Sequence, residues 1–175
     1  VSESSDVLNP KESFLNKDFT LRGRGKCNWR TGIVLEEILD IIKTFNPKPE
    51  LVLRMHPKNI KTQFIDWSDE FVFDEIEDPL QSVWQSDVIL GMSSNLLVEA
   101  MHLSKPVFSV LTRSSEKEWM DELKMDYIYS VFNRKDLNKL LKNIFKKQYP
   151  KVNNQTNLKK KKSIMEVLEV LKIIN

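Results

Sequence analysis

The 175-residue chain has a single cysteine, Cys27. No disulfide can form within it, and a reducing compartment is the simpler setting. Its two histidines, His56 and His102, make no zinc set with that one cysteine. No run approaches the ~20 apolar residues of a membrane span, and no signal-peptide pattern opens the chain. Neither sign of charge dominates: 27 Lys and Arg against 25 Asp and Glu leave a net charge of +2. A nucleic-acid-binding protein carries a larger basic excess. Glycine is scarce, four in all, and neither the GxGxxG dinucleotide fingerprint nor a Walker loop occurs. Nothing repeats at a fixed period. The expectation is a cytoplasmic protein with no metal and no nucleic-acid partner.

What is present is a 41% hydrophobic content, enough for one domain with its own core and too little for two ordinary ones. The chain is therefore expected to be a single domain over 1–175, with a long loop over 5–28 and a C-terminal helix within 151–175. Val1 to Ser4 could end a short strand. Apolar residues at 34, 35, 38, 41, 42 and 45 fall at helical spacing, ended by Asn46-Pro47. "ELVLRMH" predicts a strand stopped by Pro57, and "EFVFDEI" a shorter one, while "TQFIDW" is ambiguous. Asp78 is a plausible N-cap with Pro79 at the first helical position. "DVILGM", "SNLLVEAMHLS" and "KPVFSVL" then predict strand, helix and strand. "SSEKEWMDELKM" predicts one Ser-capped helix, "DYIYSVF" an edge strand, and "RKDLNKLLKNIFKKQ" and "KKKSIMEVLEVLKII" two further helices. Short strands alternating with helices imply a parallel, Rossmann-like α/β sheet with helices on both faces. "LVL", "VIL" and "VFSV" are apolar on both sides, as doubly covered strands should be.

Ligands collect at the carboxyl ends of such strands. His56-Pro57-Lys58, Asp74-Glu75, Gly91-Met92-Ser93-Ser94 and Thr112-Arg113-Ser114-Ser115 stand there, and the loop Arg22-Gly23-Arg24-Gly25-Lys26 follows the first short strand. Ser93 and Ser94 either cap the next helix or hold a phosphate against its free N–H groups. Glu99 lies ~7.5 Å further along that helix. Among Leu96, Leu97, Val98, Ala100 and Met101 a carboxylate needs a partner, either a surface cation or a pair of ribose hydroxyls. His56 either satisfies its turn or serves as a donor to a phosphate or a proton-transfer group. The basic loop around Arg24 could fold over a diphosphate. His102 reads as structural. Lys159 to Lys162 reads as a solvated helix start, with a membrane-surface or nucleic-acid role as the alternative.

In order, these residues resemble a known family. "SSNLLVEAMHLSKPVFSV" is similar to the donor-binding segment of GT-B glycosyltransferases. There a Gly- or Ser-rich turn, a helix with Glu-Ala and a Lys-Pro-Val strand follow one another. "LRMHPK" resembles the His-Pro element of bacterial capsule and polysialic-acid transferases, and "DPLQSVWQSDVILGMSS" completes the pattern over 28–111. The resemblance implies the C-terminal half of a GT-B fold. It implies that Glu99 holds the nucleotide ribose, Ser93 and Ser94 the phosphate, and that His56 acts at the donor phosphate. Lys58 and Arg24 are the further candidate phosphate contacts. The nucleotide-sugar would be a substrate, with no cofactor. An N-terminal acceptor domain or partner subunit is then expected, with peripheral association at the inner membrane surface, and this half alone would be inactive. Many retaining members carry a second Glu where this chain has Gly91, so the resemblance assigns no stereochemistry. UDP-sugar 2-epimerases are the related alternative, but their His-Arg-Arg-Glu-Asn stretch is absent. A non-catalytic nucleotide- or partner-binding module is the remaining alternative.

Overall fold

The computed structural model describes residues 10–152. The strand expected at 1–4, Lys159 to Lys162 and the helix expected within 151–175 lie outside the described residues, apart from 151 and 152. The elements are α1 (Pro10–Ser13), α2 (Arg30–Ile42), β1 (Val52–Leu53), a 3-10 helix (Lys61–Trp67), β2 (Val72–Phe73), α3 (Pro79–Gln85), β3 (Ile89–Gly91) and α4 (Asn95–His102). They continue as β4 (Val107–Val110), a second 3-10 helix (Ser114–Trp119), α5 (Asp121–Lys124), β5 (Tyr129–Val131) and α6 (Arg134–Phe145). Among the described residues the named strands all pair in parallel, with one isolated antiparallel bridge between Phe14 and Trp29. β1 pairs with β2 with Val52 opposite Val72, and β3-β4-β5 form the larger sheet with Leu90 opposite Phe108 opposite Tyr129. This is the Rossmann-like α/β architecture, its hydrogen-bonded ladder divided into two small sheets.

Helices cover both faces. On one, Leu97 of α4 packs against Gly91 of β3. Phe108 lies on the other face of the ladder and meets Tyr149, just beyond α6, with ring centroids 6.1 Å apart. Phe45, three residues beyond α2, packs against Phe145 of α6 with tilted rings 4.8 Å apart. β1 and β3 flank a cavity of about 50 Å³ lined by Val52, Arg54, Asp74, Val88, Ile89 and Leu90. β1-β2 and β3-β4-β5 remain separate hydrogen-bonded sheets on either side of this cavity, and the carboxyl ends of parallel strands are where ligands collect in α/β folds.

Local chemistry explains the element ends. Asp78 caps α3 by accepting from the Leu80 N–H at 2.8 Å, with Pro79 in the first turn. Every residue of β4 is buried, as a doubly covered strand should be. The strand expected over 51–55 is shorter. After Leu53 the backbone enters a turn in which the His56 N–H donates to Asn59 Oδ1 and the Asn59 N–H to His56 O. The single Ser-capped helix expected from Ser114 is instead two pieces broken at extended Met120, and Arg113 rather than a serine stands at the cap position. The break buries Met120, and the tight first piece buries Glu116. The ambiguous "TQFIDW" belongs to the first 3-10 helix, which sends Phe64 and Trp67 inward.

Arg54 ties β1 to β2 and α3. Its guanidinium bonds Asp74 at 2.8 Å and the carbonyls of Ile76 and Glu77, and Ser82 of α3 donates to the same Asp74 carboxylate. Burial pushes that carboxyl upward, but the bonds from Ser82, Arg54 and the Ile76 N–H outweigh it and hold it below its ordinary value. The register partners Val52 and Val72 of the smaller sheet are 45% and 54% exposed.

A methyl group at position 91 would sit 2.8 Å from Leu97 Cδ2, and Leu97 is completely buried. Gly91→Ala is therefore expected to destabilise the fold by about 1–3 kcal/mol through overpacking. Urea denaturation measures this, and an unchanged midpoint would mean that α4 yields freely.

Candidate functional site at the carboxyl ends of the strands

The first turn of α2 meets the carboxyl ends of β3 and β4, and two arginines gather there around one carboxylate. Arg30 opens α2 and is 3% exposed; Glu116, on the second 3-10 helix, is completely buried. Arg30 Nη2 donates to Glu116 Oε2 at 2.8 Å and to Ser93 Oγ at 3.4 Å. Glu116 also accepts from the Thr112 N–H at 3.2 Å and from the Thr112 hydroxyl, and Arg113 Nε lies 3.4 Å from its Oε1. Arg113 Nη2 pairs with Glu12. Both guanidinium groups lie over Trp119, at 4.6 and 5.6 Å from the ring centre, and Arg113 also covers Phe19 at 5.0 Å. A buried carboxylate that lost these bonds would be very costly, so the cluster locks the start of α2 to the end of β4.

The sequence-derived candidates distribute around this cluster. Ser93 joins it through Arg30. Ser94 caps α4, its Oγ accepting from the Leu96 N–H at 3.3 Å. Glu99 lies on the outer side of α4, while Leu97, Ala100 and Met101 face inward. The strain foreseen for a carboxylate in so apolar a helix is therefore absent, because the apolar residues turn one way and Glu99 the other. Among the described residues its side chain has no hydrogen-bond or ion-pair partner, so the surface ion pair is not formed. His56 is half-buried, and its Nδ1 accepts from the Lys58 N–H at 3.1 Å. In the neutral ring this places the proton on Nε2. The Lys58 side chain is exposed.

Arg24 stands elsewhere. Its guanidinium forms a fork with Glu70 at 2.6 and 2.9 Å, and its Nε bonds Asp40 at 2.8 Å. The loop that carries it folds onto α2. The Arg22 and Gly23 N–H groups donate to Glu37, and the Arg24 N–H donates to Glu36. Those N–H groups are turned toward protein carboxylates and are not offered to a diphosphate. Gly23 has φ +62°, and a Cβ there would collide with the Glu36 carboxylate. Burial, then the charge of Glu36, push the Cys27 thiol up to about 12, so it is un-ionised and unreactive at neutral pH.

Arg30, Arg113 and Glu116 were not among the candidates. Their visible signal was the position of Thr112-Arg113 directly after a strand. Nothing in the linear order shows that Arg30, more than eighty residues earlier, meets Glu116. Among the described residues no group of three His, Cys, Asp or Glu is placed to hold a metal ion, and no helix is long and apolar enough to cross a membrane. The fold and site thus define an α/β protein with a buried cluster of Arg30, Arg113 and Glu116 next to the carboxyl ends of parallel strands. Searches against known protein families, curated proteins and solved structures found no match for the chain.

Two outcomes follow. Glu116→Ala leaves two buried guanidinium groups without their shared anion and should destabilise the fold by roughly 3–5 kcal/mol in thermal or urea unfolding; a loss within ~1 kcal/mol would remove its locking role. Asp40 is one of the carboxylates that the fold holds below the ordinary range. Burial raises its carboxyl, but bonds from Lys43, Arg24 and Arg134 outweigh this and bring it from 3.8 down to about 2. A depressed folded-state value gives stability that is present above the unfolded value and lost as pH falls toward 2. Asp40→Asn should lower neutral-pH stability by on the order of 1–2 kcal/mol and flatten the decline between pH ~4 and ~2. Parallel acid limbs for variant and wild type would reject this assignment.

Proposed function

We propose that this chain is the nucleotide-sugar-binding half of a glycosyltransferase that builds a cell-surface or capsular polysaccharide. The observation that carries the reading is the arrangement on α4. Its start, with Ser93 and the capping Ser94, lies at the carboxyl end of β3 beside Arg30, and an unpartnered Glu99 lies on its outer side. A donor diphosphate binds the helix N–H groups and the serine hydroxyls. Arg30 supplies positive charge there, tempered by Glu116. Glu99, about one and a half turns along, accepts from the two ribose hydroxyls at a rise of ~7.5 Å. His56, in the turn after β1, acts at the donor phosphate, with Lys58 beside it. Arg24 serves the fold. The nucleotide-sugar is a substrate, and an N-terminal acceptor domain or partner subunit supplies the acceptor and the base. This half acts in the cytoplasm at the inner membrane surface.

Thermal shift with UDP, CMP, CDP and GDP selects the base, because a ligand that binds only the folded state raises its stability. With the preferred nucleotide, Glu99→Gln should keep the fold and weaken binding by about 1.5–3 kcal/mol, or one to two decades in Kd. An amide can accept with only one end. Ser94→Ala should cost less, since the helix N–H groups remain. Titration calorimetry giving equal affinities for wild type and Glu99→Gln would remove the ribose role and the main support for the reading.

A further inference from the structure

The outer face of α6 carries a row of like charge that no contact explains. Lys135, Lys139, Lys142 and Lys146 are all exposed and follow one another at spacings of four, three and four residues. That spacing places them on one side of the helix over a length of ~16 Å. With Asn138 and Asn143 they line a shallow hollow of about 630 Å³. Among the described residues none of the four has an ion-pair partner. The one acid of α6, Asp136, is turned to Asn133 at the helix start. Arg134 is held by Glu37 and Asp40 at 2.6 and 3.2 Å. The opposite side of α6 is apolar and buried through Leu137, Leu140 and Leu141. Like charges at this spacing repel and weaken a helix, so the row calls for an anionic counterpart.

We propose that this face of α6 docks on an anionic lipid surface. The row belongs to a chain of net charge only +2, so attraction is local and orients one side of the molecule. A lipid leaflet needs only diffuse positive charge. Single-stranded nucleic acid is held by aromatic platforms and arginine forks; the hollow has no aromatic ring, and its arginine is already paired. At the C-terminal end of the row, Phe145 and Tyr149 are 40% and 43% exposed beside Lys146 and Lys147, the mixture of rings and cations that suits a membrane interface. Four further lysines, Lys159 to Lys162, follow in the sequence. The docking face involves none of the donor-binding residues, so it stands or falls separately from them.

The test is co-sedimentation of the full chain with phosphatidylcholine vesicles with and without about 30% phosphatidylserine. Each lysine near an anionic leaflet strengthens partition roughly fivefold. The wild type should therefore prefer the anionic vesicles at least ~tenfold, and release them at ~1 M salt, where the screening length is ~3 Å. Lys139→Glu/Lys142→Glu should lose at least ~tenfold in partition with an unchanged unfolding midpoint. Lys139→Gln/Lys142→Gln, which keeps helix propensity, should show a smaller loss in the same direction. Replacing Lys159 to Lys162 with Gln should leave the α6-dependent share of binding in place. Equal partition to neutral vesicles, no effect of either α6 variant, or a loss confined to the tail variant would overturn the proposal. So would displacement from vesicles by a single-stranded oligonucleotide that binds more tightly, which would assign the face to nucleic acid.

Discussion

The burial of α2 is the constraint on which the rest of the molecule depends. Every residue from Arg30 to Ile42 except Asp40 is buried, yet the helix carries Glu36 and Glu37, which are 0% and 2% exposed. Two carboxylates withdrawn from water cost several kcal/mol each unless hydrogen bonds replace the lost hydration. The loop over 22–24 supplies those bonds from its backbone, and Arg134 of α6 supplies a charged one to Glu37 at 2.6 Å. The same helix contributes to both hydrophobic clusters, with Ile33, Val34, Ile38 and Ile41 in the larger and Leu35 and Leu39 in the smaller beneath β1 and the first 3-10 helix. α2 therefore joins the two sheets that backbone hydrogen bonds leave separate. Disturbing its carboxylates would loosen the basic loop and the docking of α6 together.

The start of α2 carries a second set of charges with the opposite arrangement: one buried carboxylate serves two arginines. Glu116 holds Arg30 and Arg113 on Trp119 and binds the backbone at Thr112. With Glu12 on Arg113 the cluster is close to neutral. On the proposed donor-binding reading, an anion at Ser93 would meet little net charge and would be recognised chiefly by helix N–H groups and hydroxyls, selected by geometry more than by bulk attraction.

Most of the element order was legible in the linear pattern because it rests on local physics. The Asp78-Pro79 cap, the apolar spacing of α2, α4 and α6, and the uninterrupted apolar β4 each follow from a few adjacent residues. The failures have a common cause in distant partners. Residues 114–125 have the composition of one helix, but Glu116 is drawn inward by Arg30 and Thr112, which tightens the backbone to a 3-10 turn and breaks it at Met120. Arg24 sits in a Gly-rich basic loop that reads as a phosphate cradle, and Glu70 and Asp40 claim it instead. Glu99 reads as a carboxylate among apolar neighbours and needs the helix phase against β3 before its exposure is known.

By itself the sequence determined the α/β class, the parallel alternation, the absence of an internal disulfide, the positions of Ser93, Ser94 and His56 near strand ends and that of Glu99 on the following helix. Those properties depend on composition, on periodicity and on turn chemistry within a few residues. The tertiary structure alone decided which charges are partnered. Whether Arg24, Arg30 or Arg113 faces a ligand or a carboxylate is settled largely by residues 16 to 101 positions away. Electrostatic and hydrogen-bond energies depend on distance in space and on burial, and neither is written in the local order of residues.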